Sequence, residues 1–174
     1  HDYNEMGDIV SAQLRGIDGF NPQDKSISMA LHGGVTCVGT GPGSANVIGG
    51  TFFAVKTYGN CVDDMVVRDP VAMKCAFGEN PKRCYREKGD SARMTTAAKL
   101  RDMLFQAREY LERKEAAGDD ALKRPKFDMK MEALIPVLKG EMPLKAHAHR
   151  ADDICTALRI AKEFDLDITL DHCS

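Results

Sequence analysis

Between Pro143 and His172 the sequence spells a strand, a helix and a second strand in quick succession, and this stretch constrains the fold more than any other. Pro143-Leu144-Lys145-Ala146-His147-Ala148-His149 reads as a short strand that stops at histidines. From Ala151 to Phe164, the residues Ile154, Ala157, Leu158, Ala161 and Phe164 fall at offsets of three and four, one apolar helical stripe. Asp152 and Asp153 occupy the first turn, where carboxylates suit the positive end of the helix dipole. Ile168-Thr169-Leu170-Asp171-His172 is a second short strand that again ends in a histidine. A βαβ unit makes its two strands parallel. His147 and His172 are therefore expected at the carboxyl ends of neighbouring strands, the rim where α/β proteins keep their chemistry.

The chain has 174 residues, 43% hydrophobic and 29% charged, enough to bury a core and ordinary for one globular domain. A net charge of -2 gives no reason to expect nucleic acid or an anionic membrane as a partner. No apolar run approaches the roughly 20 residues of a membrane span. Cys37, Cys61, Cys75, Cys84, Cys155 and Cys173 form no CxxC pair, and several sit in apolar runs where a reduced thiol packs as a small hydrophobe. A reducing, cytoplasmic location is the expectation.

Along the chain, residues 1–21 read as polar and irregular. A helix is predicted from Pro22-Gln23-Asp24 through Leu31, and a buried strand at Val35–Val38. GTGPGSANVIGG, from Gly39 to Gly50, reads as a loop with Ser44 and Asn46 as candidate substrate contacts. Thr51–Tyr58 and Val62–Val67 read as paired strands, and Val71–Phe77 as another strand. The longest helix is predicted over Ser91–Ala117, with Met94, Ala98, Leu104 and Leu111 inward and Arg108, Glu109, Glu112 and Lys114 outward. A further helix covers Asp128–Lys139, bent at Pro136. This order of elements gives an α/β fold. Parallel strands are expected near Val35–Val38, Val71–Phe77, Leu144–His147 and Ile168–His172.

Four residues are candidates for the site. Neutral imidazoles are good ligands for zinc and other first-row metals, so His147 and His172 are the first pair; the alternative is two strand-end histidines satisfied by hydrogen bonds. His149 shares the parity of His147 and is a group that supports the metal ligands, a substrate-binding group, or a solvated loop residue. Glu79, in the turn Gly78-Glu79-Asn80-Pro81, could complete a metal shell or be a surface charge. Lys74 and Lys145 lie inside strands, where a lysine must reach water or serve a site. The glycine-rich loop contains neither GxxxxGK[ST] nor GxGxxG, and no GxSxG elbow is present.

GVTCVGTGPGSANVIGG, FGENPKR, KAHAHRADDI and the closing ITLDHC together resemble the metal-dependent amidohydrolases, nearest to the branch of imidazolonepropionase-like enzymes and cytosolic dipeptidases such as prolidases. The resemblance covers nearly the whole chain. It implies a (β/α)8 TIM barrel with one or two divalent metals, zinc first among them, at the carboxyl ends of the strands. It implies His147 as the fifth-strand ligand and His172 as the sixth. Glu79 would be the carboxylate that in some members replaces a carbamylated lysine. The chemistry implied is attack of a metal-activated water on an amide, cyclic amide or dipeptide C–N bond.

The family's first-strand His-x-His would precede His1, and its last-strand aspartate would follow Ser174. Residues 1–174 are accordingly expected to be the central portion of one barrel domain, roughly strands two to six, and inactive by themselves. Open strand edges predict a homo-oligomer, and the expected partner is a small amide or peptide substrate. The competing reading is a non-catalytic α/β protein whose histidines bind a metal or a partner; a weaker one is a phosphate-binding module built on the glycine-rich loop.

Overall fold

Short connections set the direction of the first three strands. The computed structural model describes residues 3–89 and 92–174. β1 (Cys37–Thr40) returns through residues 41–47 into β2 (Ile48–Lys56). β2 passes through the one-turn helix α2 (Val62–Met65) into β3 (Val66–Ala76). Neither link holds a crossover helix, so β1, β2 and β3 pair antiparallel. From β3 onward helices intervene: α3 (Glu79–Cys84), α4 (Arg93–Ala117) and α5 (Met129–Leu138) lead to β4 (Leu144–Ala148), and α6 (Ala151–Phe164) leads to β5 (Ile168–His172). β3, β4 and β5 are parallel. The result is one curled sheet in the order β1-β2-β3-β4-β5, a mixed α/β half-barrel.

Several local features follow from residue chemistry. Asp24 caps α1 (Lys25–His32) by accepting from the Ser26 amide at 2.9 Å. Asp128 caps α5 through the amides of Lys130 and Met131. In β3 the register passes from Arg68 opposite Ala54 to Ala72 opposite Phe52, so Pro70 falls in a bulge where its missing N–H breaks no ladder bond. A second irregularity lies at Gly50, whose φ is +112°. A Cβ there would stand 2.3 Å from the Leu14 carbonyl oxygen, so only glycine lets the N-terminal segment lie on β2.

The main core lies between the sheet and α4, α5 and α6, and includes Met73, Leu104, Leu134, Leu144, Ile160 and Phe164. A smaller cluster of Phe53, Val55 and Met65 is closed by Phe20 and Ile27. Tyr110 and Lys114 of α4 both bond the Glu132 carboxylate of α5, each at 2.6 Å. Burial alone would raise the Glu132 carboxyl, but the bonds from Lys114 and Tyr110 outweigh it and hold it below its ordinary value.

The structure corrects several expectations. Val35–Val38 is not a buried parallel strand: β1 begins at Cys37, is half exposed, and is the antiparallel edge of the sheet. Val62–Val67 splits, its first four residues helical and its last two opening β3, so the strand expected at Val71–Phe77 is the second half of one long strand that ends at Ala76. The loop predicted from Gly39 to Gly50 shrinks to residues 41–47, because Thr40 ends β1 and Ile48 starts β2. In α4, Met94 and Ala98 face solvent while Thr96, Ala97, Leu100, Leu104, Ala107 and Tyr110 are buried. Ala98 is six residues from Leu104, about 120° around a helix turning ~100° per residue, so the two cannot share a face. Ser91 lies outside the described residues. In α6 Ile160 takes the buried place expected for Leu158, which is 44% exposed.

Two measurements check this packing. Leu134→Ala, at a fully buried site, is expected to lower stability in urea melts by about 2–5 kcal/mol, whereas Leu158→Ala should cost under about 0.5 kcal/mol. A depressed carboxyl adds stability above its unfolded pKa and loses it as pH falls through the folded one. The stability difference between wild type and Glu132→Gln is therefore expected to shrink as pH drops below the ordinary value of 4.5. A pH-independent difference in melts from pH 7 to 3 would contradict the Glu132 assignment.

Candidate functional site

Parallel, in-register pairing brings the carboxyl ends of β3, β4 and β5 to one level. Ala76 stands opposite His147, and His147 opposite Asp171. Along β4, Leu144, Ala146 and Ala148 enter the helix-side core, so Lys145 and His147 take the other face. His172 ends β5 with φ at +75°, an uncommon value for a residue with a Cβ. Its ring meets that of His147 at 4.7 Å and stacks on that of His149 at 5.0 Å, measured between centroids. His147 and His149 lie 4.8 Å apart, edge to face. Three imidazoles thus converge, the pair expected from the strand ends together with His149.

His147 is the buried member, 5% exposed. Burial, and after it the neighbouring His172, Lys74 and His149, pushes its pKa down to about 4, so the ring is neutral at physiological pH. Its Nε2 lies 3.1 Å from Asn80 Nδ2, while its Nδ1 is buried with no hydrogen-bond partner. On the same sheet face, Asp171 joins two lysines: Lys74 Nζ at 2.9 Å from Oδ2, and Lys145 Nζ at 2.5 Å from Oδ1. Both ammonium groups also lie over the Phe52 ring, 5.7 and 5.5 Å from its centroid. Burial would raise the Asp171 carboxyl, but the bonds from Lys145 and Lys74 bring it below its ordinary value.

Glu79 is turned to solvent and held in ion pairs. It opens α3, is 62% exposed at its side chain, and is held by Arg93 Nη1 at 2.8 Å and Lys82 Nζ at 3.4 Å. Arg93 in turn bonds the buried Asp153 of α6 at 3.0 Å. Asn46, a candidate substrate contact, is structural: it is 1% exposed, and its amide nitrogen bonds the Tyr85 hydroxyl and the carbonyls of Glu5 and Asp8. Sequence reasoning missed Asn80, Arg93 and Asp171 as site neighbours. None of the three had a signal in the sequence, because the face that Asp171 shares with Lys145 and His147 depends on the register between β4 and β5.

Among the described residues, no three His, Cys, Asp or Glu side chains form a ready-made cage for a metal ion. The donor chemistry nevertheless fits one. His147 is neutral and offers a buried, unpartnered nitrogen, and two further imidazoles lie within 5.0 Å.

No protein-family model matches the chain. It is 44% identical to an amidohydrolase from Thermotoga maritima solved by crystallography, with a TM-score of 0.95, over 99% of this chain and 45% of that one. It is also 30% identical over 195 residues to the amidohydrolase TasK of Hapsidospora irregularis, covering 98% of this chain and 20% of that protein. Both of these similar proteins are named amidohydrolases. The chain spans less than half the length of either relative. Among the described residues no helix is long and apolar enough to cross a membrane.

The ion cluster around the buried Lys74 gives a direct structural test. Asp171→Asn leaves the ammonium of Lys74, 3% exposed, without a countercharge and is expected to cost about 3–5 kcal/mol. Adding Lys74→Met should recover most of that loss in the same denaturant melts; additive losses would show that the pair is not coupled.

Proposed function

We propose that the protein is a metal-dependent hydrolase of C–N bonds in amides, cyclic amides or dipeptides. The observation that carries this reading is the convergence of His147, His149 and His172 at the ends of β4 and β5, in a chain 44% identical to an amidohydrolase. A bound divalent cation, zinc first, would supply Lewis acidity toward a water and a carbonyl oxygen. His147 and His172 would hold it, His147 through its unpartnered Nδ1.

The remaining residues have separable tasks. His149, stacked on His172, would contact the substrate. Asp171 is unsuited to take a proton, because both its oxygens are bonded to ammonium groups and its carboxyl titrates low. Its task is to neutralise Lys74 and Lys145 beside the histidines. Glu79 would act as a ligand only after leaving Arg93 and Lys82.

Metal analysis together with a screen of N-acyl amino acids, dipeptides and cyclic amides tests the proposal. In a protein spanning the length of these relatives, His147→Ala and His172→Ala are expected to abolish turnover and lower metal content. Glu79→Gln should do the same if Glu79 is a ligand, and change little if it remains a partner of Arg93. A His172→Ala variant with wild-type rate and metal stoichiometry would overturn the assignment in favour of a non-catalytic role for the histidines.

A further inference from the structure

The turn after β3 is braced from two sides and delivers one side chain to His147. Gly78 has φ at +81°, and a Cβ there would stand 2.7 Å from Asp153 Oδ2, so the turn lies directly on the first turn of α6. Arg93, the first residue of α4, bonds both Asp153 and Glu79. Three elements that follow the strands are thereby locked to one another, and Asn80 projects from this brace to within 3.1 Å of His147 Nε2.

The two orientations of the Asn80 amide have different consequences. With Nδ2 donating, Nε2 is the acceptor, and the neutral ring must carry its proton on Nδ1. That would bury an N–H with no acceptor, since Nδ1 has no partner. Turning the terminal amide by 180° exchanges oxygen and nitrogen with almost no change of shape. Nε2–H then donates to Oδ1, and Nδ1 keeps a lone pair. An under-used acceptor is tolerated in proteins more readily than an orphaned N–H.

We propose that Asn80 is a positioning residue for His147: its Oδ1 accepts from Nε2–H, fixing the tautomer in which the Nδ1 lone pair is the ligand atom. This rests on the metal-site reading above. Outer partners of this kind orient ligating histidines and typically change metal affinity 10- to 100-fold.

Asn80→Ala and Asn80→Asp separate the possibilities, because aspartate can accept from Nε2–H but cannot donate. Imidazole ¹⁵N spectra of the metal-free protein read the tautomer, and cobalt(II) titration reads affinity and ligand field. Wild type is expected in the Nε2–H form. Asn80→Asp should keep that form and bind cobalt at least as tightly. Asn80→Ala should lose the tautomer preference and weaken cobalt binding roughly 10- to 100-fold. A wild-type Nδ1–H tautomer, an aspartate variant as impaired as the alanine one, or an alanine variant unchanged in both readouts would overturn the assignment. If wild type binds no cobalt, the metal reading fails, and the tautomer spectra still decide the role of Asn80.

Discussion

The parallel ladder joining β3, β4 and β5 is the constraint on which the rest of the structure depends. Its bonds align Met73, Leu144 and Ile168 at one level and Ala76, His147 and Asp171 three residues on. Strand alternation then sorts the chemistry. Leu144, Ala146 and Ala148 pack with the helices in the main core. Lys74, Lys145, His147 and Asp171 are left to the opposite face, where their polar ends meet. A one-residue slip would reverse this sorting and bury charges among leucines, so the register and the site stand or fall together.

Electrostatics on that face follow from crowding. A lysine as buried as Lys74 needs a counter-ion, and Asp171 serves both it and Lys145. Burial first, and then the neighbouring His172, Lys74 and His149, disfavour protonation of His147 and leave a neutral imidazole. The buried Lys74 thus adds to the burial and neighbouring imidazoles that favour the form of histidine able to act as a ligand. Around the rim, the Gly78 turn, Arg93 and Asp153 tie α3, α4 and α6 together, so the side chains at the strand ends rest on a connected frame.

Much of this was legible without coordinates. The stripe from Ala151 to Phe164, the carboxylates in its first turn and the flanking strand-like runs determined the βαβ unit, because periodicity and short connections allow few alternatives. The same alternation placed His147 and His149 on one side. Periodicity was a weaker guide where an element has several neighbours: the buried face of α4 depends on how α5, α6 and the sheet meet it, and one stretch of sequence does not contain that information.

Tertiary structure alone decided the rest. The direction of β1 and β2 depended on whether a crossover helix intervenes, and the valines at 62 and 66–67 suit a strand as well as the helix-to-strand switch that forms there. Glu79 and Asn80 are neighbours in a turn, and nothing in their order says which faces His147; the brace from Arg93 and Asp153 turns Glu79 outward and leaves Asn80 at the imidazole. The sequence by itself determined that two parallel strands end close to His147 and at His172, since that follows from local periodicity and the short connection between them. Which partners those residues meet was decided by contacts between segments as far apart as Lys74 and Asp171, whose pairing exists only once the sheet has closed around them.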